Sequence, residues 1–255
     1  MSTIVDRYFQ TLAERLETVR AGEGSNIDAA ARIAADSIAA GKLVFTFGTG
    51  HGSLPAIESF PRTGTIVGFR PIVESSMISF HRVLGDMGAR QYRFIHSQEG
   101  YGKAILASHQ IVEGDSMVLF SHSGINAVIL DIALESKARG MKVIAVTSIP
   151  HSSATPSRHS SGKRLYEVAD VVIDTHAPKA DANLYIDGLD SPVGASSTSV
   201  TIAIAHAINA RTAELLVERG IIPHVMVSPN TTDKEKATVQ NDNNYAELWK
   251  RLKDR

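Results

Sequence analysis

The sequence predicts an α/β protein: a doubly wound parallel sheet flanked by helices, with an N-terminal helical arm. Three observations predict it. Short β-branched and apolar runs alternate with segments of helical periodicity. Two Ser/Gly-rich loops, Phe47-Gly48-Thr49-Gly50-His51-Gly52-Ser53 and Phe120-Ser121-His122-Ser123-Gly124-Ile125-Asn126, each follow such a run and open a helical segment. The run at 142–147 is almost continuously apolar, as a strand covered on both faces must be.

The elements follow in order. Ile4, Tyr8, Leu12, Leu16 and Val19 fall at three- and four-residue spacing, so 3–20 is an amphipathic helix, stopped by Gly22 and Gly24. A second helix starts near 25–28, with Ser25 or Asn26 as N-cap, and runs to Ala40 before Gly41. Strand 42–47 enters the first loop. A short helix at 54–60 ends near Pro61, and 65–73 is a strand region. Residues 75–95 are ambiguous and resolve best as a helix, carrying His81, followed by a short strand at 92–95. A helix spans 101–110. Strand 116–120 enters the second loop, helix 127–139 leaves it, and strands follow at 142–147 and 171–174. A polar loop rich in Ser and His occupies 148–164, and a second long loop occupies 176–194. A long helix spans about 196–220, and a polar tail ends in a helical stretch at 245–253. The simplest organisation is one domain over 1–255: helices at 1–40, an α/β core at 42–220 and a tail at 221–255.

With 255 residues, 43% of them hydrophobic, the chain can bury a sizeable core. The net charge of −1 provides no basic field for nucleic acid. There is no cysteine, hence neither disulfide nor thiolate metal site. The first residues have no charged-then-apolar signal pattern, and the apolar run at 199–205 is soon interrupted by His206, Asn209 and Arg211. A cytoplasmic protein without membrane or nucleic-acid partners is expected. His151 and His159 flank a Ser-rich loop but lack metal-ligand spacing, so no metal is expected. Gly48-x-Gly50-x-x-Ser53 lacks the third glycine of a dinucleotide fingerprint, and Arg70 rather than an acid falls near the ribose position, so no cofactor is expected.

Glycines let a backbone approach a phosphate, while serine hydroxyls and helix N-terminal N–H groups donate to it. Two such loops imply a ligand held from both sides of the sheet. The stretch Glu113-Gly114-Asp115-Ser116-Met117-Val118-Leu119-Phe120-Ser121-His122-Ser123-Gly124 resembles the sugar isomerase (SIS) domain family, in which an acidic-Gly-Asp turn, an apolar strand and Ser-x-Ser-Gly follow one another. The Gly140-Met141-Lys142 turn with its strand, and the Gly-Thr-Gly-His-Gly-Ser loop, continue the likeness over roughly 25–215. The run 161–174 resembles a branch close to phosphoheptose isomerase and N-acetylmuramic acid 6-phosphate etherase.

The resemblance implies a Rossmann-like, flavodoxin-type sheet and a phosphosugar ligand. It implies phosphate binding by Ser121, Ser123 and Gly124, with Asn126 where the family has a hydroxyl residue, and sugar contacts from Thr49 and Ser53 beside Gly48 and Gly50. His51 departs from the family loop. Residues Ser196, Ser197 and Thr198 face the ligand in the same likeness, and Ser196 also fits an N-cap.

Isomerisation of an aldose to a ketose needs a base that moves a proton between adjacent carbons. Glu58, within Glu58-Ser59-Phe60-Pro61-Arg62-Thr63-Gly64, resembles the catalytic segment of the etherases, and its ordinary alternative is a helix acid that complements the dipole. Glu74, at the end of an apolar strand, is the second carboxylate, or a solvated strand-end charge. His51 and His122 lie inside the loops. His206 resembles a histidine that some family isomerases reach toward a neighbouring subunit's site, or is a satisfied core histidine. Lys163 and Arg164 can neutralise phosphate. The expected function is a sugar-phosphate isomerase working as a homodimer or homotetramer. A phosphosugar lyase or etherase, and a non-catalytic phosphosugar sensor, are the alternatives.

Overall fold

The computed structural model describes residues 3–78, 88–230, 233–253 and 255. His81 lies outside them. Strands β1 (Val44–Gly48), β2 (Phe69–Pro71), β3 (Ser116–Phe120), β4 (Lys142–Thr147) and β5 (Val171–Asp174) form one parallel sheet in the order β2-β1-β3-β4-β5. From β1 the chain goes to one edge, then returns past β1 to build the other side. The reversal leaves a crevice at the C-terminal ends of β1 and β3, where open α/β sheets bind ligands. Gly48 pairs with Phe120, so both Ser/Gly loops leave the sheet side by side at that crevice.

Alternating strand residues fill two layers. Val44, Val118, Phe120, Ile144 and Val146 face a core shared by α1 (Ile4–Gly22), α2 (Gly24–Ala39), α3 (Ser53–Glu58) and α9 (Ser197–Glu218). Phe45, Phe47, Met117, Leu119, Val143 and Ala145 face the other layer, built from α4 (Ser75–Ile78), α5 (Gly88–Ile95), α6 (Tyr101–Ala107) and α7 (Ala127–Ala138). Four fully buried alanines of α2, Ala30, Ala31, Ala34 and Ala35, let α9 approach closely and lay Ile204 and Ile208 against them. By length and composition α9 alone among the described residues could cross a membrane, but half of that span is buried in this core. A buried interior helix is apolar for the same reason as a membrane span.

Several elements differ from the sequence expectation. Helix α2 begins at Gly24 with Glu23 in the cap position, because Ile27 N–H already donates to the Glu23 carbonyl and the Asn26 side chain donates to the Glu23 carboxylate. Residues 92–95 are helical, not a strand. The expected strand at 65–73 narrows to β2, because Val67 and Met226 bind across to His224 and Thr65, drawing this segment against the chain after α9. The 148–164 loop contains α8 (Ile149–Ser153). The polar tail forms a full helix, α10 (Lys234–Lys253), and beyond it Arg255 binds Asp115 through two nitrogens at 2.8 and 3.0 Å.

Candidate functional site

The two loops are packed backbone against backbone. A Cβ on Gly48 would lie 2.0 Å from the Gly52 carbonyl oxygen, and one on Gly52 would lie 2.4 Å from the Phe120 carbonyl oxygen. Any side chain there would push β1 and β3 apart, so glycine is a packing requirement at both positions.

In the first loop, Gly50–Gly52 makes a tight 3-10 turn before α3. His51 is exposed and Thr49 half-buried, its hydroxyl accepting from the Tyr92 hydroxyl at 3.3 Å. Ser53 departs from the expected sugar contact. It is buried, and its hydroxyl donates to the Gly50 carbonyl at 2.6 Å, so it braces the turn instead of facing the crevice.

In the second loop, Ser121 is buried and its hydroxyl accepts the Gly124 N–H at 3.1 Å. Ser123 is half-buried, with the Asn126 amide 3.5 Å from its hydroxyl. Asn126 holds the N-cap position of α7 without capping it through its side chain. Its Oδ1 instead accepts from Arg158 Nη1 at 3.1 Å. Among the described residues, the N–H groups of Ser123, Asn126 and Ala127 donate to no acceptor, while that of Val128 is taken by the His96 carbonyl. Free N–H groups at the positive end of a helix form an anion nest.

Arg158 adds a full positive charge to that nest, held there by its N–H bond to the Ile125 carbonyl. It has no carboxylate partner among the described residues. Sequence reasoning chose Lys163 and Arg164 instead. Lys163 is exposed, and Arg164 is bound to the Thr155 carbonyl and to Glu167. The only sequence signal for Arg158 is its place in the Ser/His-rich loop.

His122 turns toward His151 of α8, with ring centroids 4.6 Å apart. The Ser196–Thr198 segment faces an anion, though one supplied by the chain itself. Asp181 accepts the N–H groups of Ser196 and Ser197 at 3.0 and 2.8 Å and the Ser197 hydroxyl at 2.6 Å. The Ser196 hydroxyl is buried and makes no capping bond, contrary to the capping expectation. Burial raises the Asp181 pKa, but these three donors outweigh it and hold the carboxyl below its ordinary value.

Glu58 and His206 come together. Glu58 ends α3 about 7.5 Å along the helix from Ser53, and its Oε1 lies 3.5 Å from His206 Nε2 on α9. The same oxygen accepts from Arg62 Nε at 2.6 Å. In this chain His206 therefore faces its own Glu58. Glu74 stands apart, at the end of β2, where it accepts from the Ser76 hydroxyl at 2.8 Å and the Tyr101 hydroxyl at 3.2 Å. Among the described residues no group of three or more His, Asp and Glu is placed to hold a metal ion.

Residues 7–148 match the family model described as SIS domain. A UPF0309 protein of Geobacillus thermodenitrificans is 36% identical over 228 residues, which cover 89% of each chain. Two solved structures share the fold at low identity. Phosphoheptose isomerase GmhA from Neisseria gonorrhoeae gives a TM-score of 0.54 at 17% identity, over 82% of this chain and 97% of that one. The NanR protein of Vibrio vulnificus, complexed with ManNAc-6P, gives 0.50 at 12% identity, over 86% of this chain and 66% of that one.

Proposed function

Because the chain belongs to the SIS domain family, we propose that it binds a phosphosugar across the β1–β3 crevice and isomerises it between aldose and ketose. The observation that supports the proposal is the second loop, where Ser123 and Arg158 both meet the Asn126 side chain next to free N–H groups at the start of α7. A phosphate seated there leaves the sugar to run toward the first loop and α3. Glu58 is then the base. It takes a proton from the hydroxyl-bearing carbon next to the carbonyl, giving an enediolate, and returns it to the former carbonyl carbon, while the hydroxyl proton passes from the adjacent oxygen to the former carbonyl oxygen. His206, beside the carboxylate, positions it. Thr49 and His51 contact the sugar, and Glu74 serves a distal hydroxyl.

A second reading, phosphosugar sensing without turnover, draws on the Arg62 contact, since a carboxylate bound to a guanidinium at 2.6 Å also serves as a strut. A second copy of the chain belongs to either reading. Val5 and Phe9 of α1 are 59% and 64% exposed, and further along the same helix Leu16 and Val19 line a groove of about 280 Å³ with Ile27, Ala203, Ile204 and Ala207. A monomeric mass by light scattering would remove that part.

The decisive experiment is a thermal-shift panel of four- to seven-carbon sugar phosphates with their unphosphorylated parents, followed by proton exchange with the stabilising pair. A ligand that binds only the native state must raise the melting temperature. Glu58→Gln is expected to retain the shift and lose the exchange. Exchange surviving in Glu58→Gln would remove Glu58 as base. Binding without exchange in the wild type would favour the sensor.

A further inference from the structure

His122 lies between the two serines of the anion loop, and both of its ring nitrogens are buried without a hydrogen bond of good geometry. A buried polar group left unpaired is rare and costly. Its ring packs at 60° against His151, whose Nδ1 donates to the Lys179 carbonyl. The charged groups facing the pair come from two further segments: Asp181 and Lys179 from the 176–194 loop, and Arg158 from the loop after α8. Toward β4, the neighbour is the neutral Thr147 hydroxyl, which donates to the His122 carbonyl at 3.3 Å.

Burial holds His122 below the ordinary histidine value, against the pull of Asp181. Burial also lowers His151, with His122, Lys179 and Arg158 adding to the effect and Asp181 opposing it. In the free protein both rings are therefore neutral at neutral pH. A doubly charged anion on the loop would reverse that balance, because its charge would lie beside His122 in a poorly solvated crevice.

We propose that the His122–His151 pair makes anion binding at the second loop proton-linked, so that a dianion seated on residues 121–127 draws one proton onto the pair. This rests on the anion-loop reading above and adds a selectivity to it. The site prefers doubly charged over singly charged anions, and the preference grows as the pH falls. Linkage makes the effect reciprocal: whatever tightens the anion raises the proton affinity of the pair.

Sulfate tests this, since it keeps both charges throughout the useful range and any change in its affinity comes from the protein. Its dissociation constant, from thermal-shift titrations, is expected to fall about tenfold between about pH 8 and about pH 6. Calorimetry in two buffers of different ionisation heat should show proton uptake by the wild type, which needs no substitution. His122→Gln and His151→Gln should each flatten the pH dependence. Sulfate binding that Ser123→Ala weakens but that does not change with pH would overturn the proton link and leave the anion loop standing. A pH dependence that survives in both histidine variants would also overturn it. No sulfate binding at all would remove the link and the anion loop together.

Discussion

His206 Nε2 sits 3.5 Å from Glu58 Oε1, across the contact between α9 and α3. The pair joins a helix that opens at the first loop to the long helix whose start is capped by Asp181. This makes His206 a positioning residue for the proposed base. His206→Gln is expected to lower kcat by about tenfold or more while leaving phosphosugar affinity unchanged. Steady-state kinetics beside a thermal-shift titration separates the two. A change confined to affinity would place His206 on the ligand instead.

The two serines of the second loop should respond differently. Ser123→Ala removes a hydroxyl whose one contact among the described residues is the long one with Asn126. It is expected to weaken phosphorylated ligands by ~1.5–3 kcal/mol, roughly tenfold or more, and to spare unphosphorylated sugars. Ser121→Ala also leaves the Gly124 N–H without its acceptor, so it should lower the melting temperature as well. Equal losses for both kinds of sugar would contradict the phosphate assignment.

Gly52→Ala places a methyl group 2.4 Å from the Phe120 carbonyl oxygen. Backbone lies on both sides of that contact, so relief requires the loops to part. A loss of about 1–3 kcal/mol is expected by chemical denaturation. Gly24→Ala, where nothing lies within 4 Å, is the control for the loss of a glycine.

Arg255→Met should cost more than any surface change. The Arg255–Asp115 side chains are 2% and 0% exposed, so removing the cation strands a buried carboxylate. About 3–5 kcal/mol is expected for breaking such a pair. The double variant Arg255→Met with Asp115→Asn should recover part of it.

Acid should destabilise the fold in two stages. His96, His109, His122 and His151 all lie below the ordinary value of 6.5, burial being the largest cause in each case. Their unfolded forms bind protons first, so stability falls as the pH drops below about 6.5 and levels off once the folded forms are protonated. Asp181 titrates below its ordinary value, so its contribution is complete above about pH 4 and is lost as the pH falls through the folded value. Melting temperature against pH should show the first stage shrinking in His122→Gln and the second shrinking in Asp181→Asn. A flat curve between about pH 7 and about pH 5 would contradict the histidine assignment.

What could be read from the chain depended on how local the cause is. Strands β3 and β4 have the bounds their apolar runs predict, because a strand buried on both faces writes its limits into its own composition, and the half-buried edge strand β5 keeps its expected bounds through its β-branched run. The loops were readable for the same reason: their glycines and serines are contiguous. Arg158 was not, since it enters the site through backbone bonding to Ile125, which no spacing rule anticipates. Nor was Asp181, which takes the donors of Ser196 and Ser197 from fifteen and sixteen positions upstream. Helix α10 was underestimated because little of it is buried: Ala237 and Asn244 are its buried residues, while Trp249 is 61% exposed.

The clamp on Asp115 also bears on how the molecule is made. Asp115 stands at the start of β3, the strand whose other end carries Ser121, and its carboxylate accepts the N–H groups of Leu43 and Val112 before Arg255 reaches it. All five strands leave the ribosome ahead of residue 255. A nascent chain can thus assemble the sheet and both loops while one of its most deeply buried charges still waits for its cation. That ion pair closes at the N-terminal end of the central strand β3, the end opposite the one that carries the second loop.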